Sequence, residues 1–230
     1  MRRALVILVW FLATPLLAQE QPQHTPQAEA PITSAQLWPA LMQGNRSFVG
    51  GKISYDSLKA EREQLKDNQL PPITVLSCSD SRVPPELVFN QSLGALFVVR
   101  TAGSVADELG IASIEYAIAH GYTKLIVVLG HANCGAVRSS LGGVDPTTPS
   151  LKALATRIRA SFVGVPYDSR SPENVRKAVE ANTRASAAWL LAASSVIRDA
   201  EATEAVDIIT AYYDMATGEV RRLDEPHAVK

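Results

Sequence analysis

Apolar positions along this chain fall into helical faces and short unbroken runs, and the alternation of the two predicts its elements. From Ser34 onward Leu37, Trp38, Leu41, Phe48 and Val49 recur at a spacing that covers one helical face, with Pro39 near the start, where proline is tolerated. Residues 55–67 predict a second, short helix that Pro71-Pro72 ends. Three compact runs rich in β-branched residues come next: Ile73-Thr74-Val75-Leu76, Leu96-Phe97-Val98-Val99 and Leu125-Ile126-Val127-Val128-Leu129. Continuous apolar runs are the pattern of strands buried on both faces, as parallel strands are. Between the second and third, residues 107–120 carry Leu109, Ala112, Ile114, Ala117 and Ile118 over a length sufficient for a crossover helix. Helices over 151–161 and 172–200, a last apolar strand over 206–213 and a turn at 216–219 into 220–223 complete the pattern. The Gly/Pro-rich stretch 142–149 reads as a surface loop, and no internal repeat is present. Strand, helix, strand in this order predicts an α/β fold. Its central sheet is mainly parallel, with about four parallel strands plus a C-terminal antiparallel strand, flanked by helices.

Composition adds the boundaries. At about 150 residues per domain, 230 residues hold one domain with extensions. Hydrophobic residues at 47% and charged residues at 20% set aside collagenous, wholly disordered and coiled-coil chains. Arg2 and Arg3, the apolar stretch from Ala4 to Leu12, and Pro15-Leu16-Leu17-Ala18 before Gln19 are the parts of a secretory signal. With about 14 apolar residues it falls short of the roughly 20 that span a membrane. The expected organisation is a signal peptide over 1–18, a flexible leader over 19–33 and one α/β domain over 34–230, exported to the periplasm or secreted, with no membrane span after processing. Lys plus Arg number 22 against 23 Asp plus Glu, and losing Arg2 and Arg3 leaves 20 against 23, a mature charge of -3. No dense basic stretch lies in the body of the chain, which excludes nucleic acid as the main partner.

The chemistry gathers around the two cysteines. Cys78 and Cys134 both follow predicted strands, on the edge where open parallel sheets carry their ligand sites. The first strand ends in Ser77-Cys78-Ser79-Asp80-Ser81-Arg82 and the third in Gly130-His131-Ala132-Asn133-Cys134-Gly135. Two thiols, an imidazole and a carboxylate are ligand types that zinc takes in tetrahedral geometry. The long interval between the two groups is unlike a zinc-finger knuckle, and the spacing of His131 and Cys134 lets both face one ion from a tight turn into a helix. Two other readings stand beside this one. In an exported chain a Cys78–Cys134 disulfide is the simplest use of two cysteines, and His131 is also a base for a nucleophilic Cys78 or Cys134. Asp80 by itself reads as a helix N-cap ahead of Pro84-Pro85-Glu86.

The two strand-end motifs resemble the paired signature of the β-class carbonic anhydrases. Phe97-Val98-Val99-Arg100-Thr101-Ala102-Gly103 and Ser113-Ile114-Glu115-Tyr116-Ala117, between them, are similar to that family in order and distance, and the likeness runs from Leu37 to Leu223. It implies zinc-dependent, reversible hydration of carbon dioxide to bicarbonate and a proton, with one Zn2+ per chain and hydroxide drawn from water on the metal. Cys78, His131 and Cys134 match the family's three fixed zinc ligands. Asp80 and Arg82 match its carboxylate and guanidinium pair, in which the Asp either binds the Arg or swings onto the metal as a fourth ligand and shuts the site. The family's pH-gated members carry Trp and Gly where this chain has Val75 and Ser77, which favours the ungated form, with Asp80 on Arg82. Gln69 matches a glutamine that reaches into the cleft across a dimer interface, although by itself it reads as a loop residue. Phe97, Ala102 and Tyr116, with Gly135 beside the last ligand, fall where the family lines an apolar slot for carbon dioxide. Phe97 and Tyr116 also read as ordinary core, and Ala102 is smaller than the family's frequent valine. A homodimer or homotetramer is implied, because the family builds its cleft between subunits. His120 and His227 are proton-shuttle candidates by residue type alone. The competing reading is a zinc-stabilised, non-catalytic binding protein of the same fold.

Overall fold

The computed structural model describes residues 33–53, 55, 57–143 and 146–224. In it the unbroken apolar runs are strands. β1 (Ile73–Cys78) and β3 (Leu125–His131) are buried along their whole length, β2 (Leu96–Thr101) is mostly half-buried, and β4 (Asp207–Tyr213) is buried from Ile209 onward. β5 (Val220–Arg222) turns back antiparallel on β4. The sheet order is β2-β1-β3-β4-β5, and β1 to β4 are mutually parallel, as expected.

Alternation along each strand serves two cores. Ile73, Val75, Leu125 and Val127 pack with Leu37 and Leu41 of α1 (Ser34–Val49) and with Val88 of α3 (Pro85–Val88). Asn45, buried in α1, donates through Nδ2 to the carbonyls of Val88 and Gly218, each at 2.9 Å, and accepts from the Val220 amide at 3.0 Å. One polar side chain thereby satisfies three buried backbone groups and fixes the helix to β5. On the other face Leu76, Ile126 and Val128 pack with Ile114 of α4 (Glu108–Ala119) and Leu190 of α7 (Pro172–Ala193). The remaining helices are α2 (Leu58–Leu65), α5 (Gly135–Leu141), α6 (Pro149–Arg159) and α8 (Ser195–Ala202).

Three elements differ from the sequence expectation. The helix expected over 55–67 is confined to α2. The helix expected over 172–200 is two helices, because Ser194 adopts an extended backbone and caps α8: its Oγ accepts from the Ile197 amide at 3.1 Å and donates to Glu115 of α4 at 2.6 Å. A serine hydroxyl competes with the helix ladder in this way, and a half-buried acceptor on the neighbouring helix decides the contest. Helix α3 is too short for apolar periodicity to show.

The expected signal peptide lies outside the described residues, as do His227 and all of the leader except Thr33, whose amide donates to Gln36 at the start of α1. Among the described residues no helix is long and apolar enough to cross a membrane. Replacing Ser194 by Ala should cost about 1–2 kcal/mol, the usual worth of a cap with a second hydrogen bond, read as a lower urea midpoint at unchanged slope. An unaltered midpoint would show that the helix break does not depend on the hydroxyl.

Candidate metal centre

Strand order places the chemistry. β2 lies on one side of β1 and β3 on the other, so the crossovers leave in opposite directions and open a crevice at the carboxyl ends of β1 and β3. Cys78 is the last residue of β1 and His131 the last of β3, with Ser77 paired to Leu129 beside them. The Ala132 amide donates to Tyr213 O at 2.8 Å, and Asn133, in the left-handed region at φ 53, turns the chain so that Cys134 stands at the start of α5. Asparagine tolerates that conformation better than most residues.

The ligand atoms of Cys78, His131 and Cys134 lie within 4.8 Å of one another, and the three residues are only 5%, 1% and 2% exposed. The two sulfurs are 3.9 Å apart and both thiols are free. A disulfide needs about 2.05 Å. Two thiolates at about 2.3 Å from one tetrahedral ion would stand roughly 3.8 Å apart, so the separation is that of co-ligands. Nδ1 of His131 is engaged with Ala132 O at 2.9 Å, which gives it the proton and turns a bare Nε2 lone pair towards the sulfurs. That Nε2 is buried and has no hydrogen-bond partner. A buried imidazole nitrogen left bare beside two thiols fits a zinc-type cation better than it fits a nucleophile and its base.

Backbone groups prepare the sulfurs. Cys78 Sγ accepts from the amides of Gly103 at 3.3 Å and Asp80 at 3.4 Å. The Cys134 hydrogen bond chiefly, with these amides and His131, brings the Cys78 thiol down to about 4, while sharing that proton and burial push Cys134 up. The protein alone thus favours one thiolate of the pair, and a divalent cation would favour both.

Asp80 is held by Arg82 in a fork: Nε reaches Oδ1 at 2.9 Å, Nη2 reaches Oδ2 at 2.7 Å, and the Arg82 amide reaches Oδ1 at 3.0 Å. The guanidinium keeps this carboxyl well below the usual carboxylate range. A depressed pKa means that the pair's contribution is fully present above that range and is lost only as pH falls through the lowered value. Asp80 Oδ2 stands 4.0 Å from His131 Nε2, beside the three-ligand group and outside it. It does not cap a helix either, since α3 begins after Pro84. Arg100, which sequence reasoning passed over inside the Phe97–Gly103 motif, donates to Cys78 O at 2.9 Å and Asp80 O at 2.6 Å and so clamps the turn that carries both.

The expected slot residues separate into two groups. Ala102 and Gly135 line one cavity of about 670 Å3 next to the ligand cluster. Phe97 pairs with Thr74, four residues before the pairing of Thr101 with Cys78, which puts it roughly 13 Å back along the sheet. Its ring stacks on Tyr116 at 6.4 Å between centroids, and Tyr116 in turn meets His120 at 3.9 Å. Gln69 is exposed and precedes β1, at the opposite end of that strand from Cys78. One subunit therefore brings together Cys78, His131, Cys134, Asp80, Arg82, Ala102 and Gly135, and holds Gln69, Phe97 and Tyr116 apart from them.

A doubly wound sheet with a Cys/His/Cys cluster at its switch point is the arrangement of a class of α/β protein that could hold a metal ion there. Comparison with known proteins narrows it. The family described as carbonic anhydrase matches residues 73–220. Carbonic anhydrase 2 of Mycobacterium tuberculosis is 36% identical over 185 residues, which is 79% of this chain and 88% of that protein. The solved β-carbonic anhydrase of Coccomyxa is similar at 27% identity with a TM-score of 0.63, covering 84% of this chain and 89% of the other. A tetrameric β-carbonic anhydrase of the ascomycete Sordaria macrospora shares the fold at a TM-score of 0.66 and 23% identity, over 84% of this chain and 99% of its own. This chain belongs to the β-class carbonic anhydrases, and with that family comes carbonic anhydrase activity, the reversible hydration of carbon dioxide.

Purified protein should carry one zinc per chain by atomic emission, and Cys78→Ser, His131→Ala and Cys134→Ser should each lose it. Folded, metal-free protein with full turnover would overturn the assignment of the cluster.

Proposed function

We propose that the chain works as an exported, oligomeric, ungated zinc carbonic anhydrase in which Cys78, His131 and Cys134 hold the metal. The observation that carries this reading is the bare, buried Nε2 of His131 aimed at two free thiols 3.9 Å apart. Zinc held by Cys78, His131 and Cys134 would supply Lewis acidity, which lowers the pKa of a bound water from about 15.7 towards about 7.

The protein's own residues do the remainder. Arg82 holds Asp80 ionised and turned from the cluster, so its carboxylate is a hydrogen-bond acceptor that would orient a hydroxyl donor beside the three ligand residues. Ala102 and Gly135 present a methyl group and no side chain, which leaves room for a small linear apolar molecule beside the ligands. Val75 and Ser77, in place of Trp and Gly, support the ungated form.

Gln69, Phe97 and Tyr116 complete the slot in a neighbouring copy. They lie towards the amino ends of β1 and β2, where they cannot serve their own cluster, and β2 is an open sheet edge. Around them Leu70, Leu93, Leu109 and Tyr116 are exposed, at 69%, 48%, 77% and 48%. An apolar band of this kind is what a second subunit covers. Export rests on residues 1–18 and is read directly from the first residue of the mature protein.

Stopped-flow hydration of carbon dioxide with a pH indicator separates this enzyme from a zinc-stabilised binding protein, which would hold metal and show no turnover. Asp80→Asn should keep its zinc and lose about a hundredfold in kcat, a typical worth for a positioned acid–base group. An unchanged rate would confine Asp80 to a structural part. Gln69→Ala and Cys78→Ser, each impaired alone, should recover activity when refolded together, since the hybrid contains one complete site. No recovery in a proven hybrid would place Gln69 outside the cleft.

A further inference from the structure

Helix α7 reaches the metal cluster without supplying a ligand to it. Asn182, 4% exposed at the middle of the helix, donates through Nδ2 to the carbonyl of Gly103 at 2.7 Å. Gly103 in turn donates its amide to Cys78 Sγ at 3.3 Å. This glycine sits in the left-handed region at φ 71, and a Cβ there would meet Ile158 Cδ1 at 2.9 Å, so a side chain at this position would be strained and would displace Ile158. Ser104 follows, also left-handed at φ 55, with its hydroxyl donating to Leu129 O at 2.9 Å. Two successive left-handed residues are a strained turn that outside contacts must hold. Asn182 grips it from the helix and Leu129 grips it from β3.

The next residue of α7 does a related job. Thr183 lies against Gly130, where an added Cβ would come within 2.1 Å of its Oγ1, so the helix can approach the strand end just before His131 only because residue 130 has no side chain. Asn182 and Thr183 thus bring one helical turn against the Gly103 turn that bonds Cys78 and against β3 just before His131.

We propose that Asn182 is a positioning residue for the metal centre: by fixing the Gly103 peptide it aims the Gly103 amide at Cys78 Sγ and sets how strongly that sulfur donates to the metal. The physical basis is the shared electron density of a thiolate. A sulfur that accepts an N–H bond gives less of its charge to the cation, and one released from it gives more. Rotation about φ and ψ of an unanchored glycine would point the amide elsewhere, because glycine has more conformational freedom than any other residue. The proposal rests on Cys78, His131 and Cys134 holding a metal, as argued above.

The test uses the full mature protein loaded with cobalt, whose thiolate-to-metal absorption band in the near ultraviolet reports sulfur donation, together with zinc affinity measured by competition with a chelator. Asn182→Leu keeps the shape of the side chain and removes the donor. It should displace the band from its wild-type energy, because the released sulfur donates more, and weaken zinc binding about tenfold, because the ligand set is no longer held in place; that is the low end of what outer hydrogen-bond partners of a metal site are worth. Ser194→Ala, which destabilises the fold away from the cluster, serves as the control and should leave both readings unchanged. Should the leucine variant not fold, Asn182→Ser carries the same expectation, since its hydroxyl is too short to reach Gly103. A wild-type band and wild-type zinc affinity in a folded variant would overturn the proposal, as would an equal change in Ser194→Ala. Wild-type protein that takes up neither cobalt nor zinc would instead overturn the metal assignment itself.

Discussion

Two thiols and an imidazole are buried in a space less than 5 Å across, and the protein offers them no set of partners that satisfies all three. Burying polar groups without partners is costly, and burying two thiolates side by side is more so. The sheet, the turns and α7 are nonetheless arranged to keep them there. A divalent cation would resolve the conflict, since it would neutralise both sulfurs and take the free lone pair of His131. The switch between β1 and β3 is what makes the cluster possible, because it places the carboxyl ends of two strands far apart in sequence next to each other.

Around that cluster each supporting contact limits one freedom. Ala132 O takes the Nδ1 proton of His131 and so chooses the tautomer. Arg100 ties down the carbonyls on either side of Ser79, and Arg82 takes the Asp80 carboxylate away from the ligand position. Gly103 and Asp80 aim amides at Cys78. These contacts come from β2 and the turns after β1, β2 and β3, so the site is set by agreement among elements and not by one motif.

The expected slot residues nevertheless do not all lie together within one chain. Ala102 and Gly135 line a cavity, with Gly135 next in sequence to Cys134, while half-buried Phe97 stacks on exposed Tyr116 near the β2 edge. In the proposed assembly one copy would contribute the metal ligands and its neighbour the wall of the slot.

Much of this was legible along the chain. The continuous apolar runs foretold buried parallel strands, and Cys78, His131 and Cys134 stood out because cysteine and histidine are scarce and both groups follow strands. Local rules reach that far because burial on two faces leaves a mark on every residue of a strand. They did not reach the break at Ser194, which depends on Glu115 from another helix, nor Arg100 and Asn182, whose partners lie 20 or more residues away in sequence. Nor could they tell a disulfide from a pair of metal ligands, since the same two cysteines serve for either. The sequence by itself determined the strand pattern and the residue types of the site. The tertiary structure decided the 3.9 Å sulfur separation, the orientation of His131 and the grip of Arg82 on Asp80, because distances between strand ends follow from register and packing, which no local stretch of chain contains.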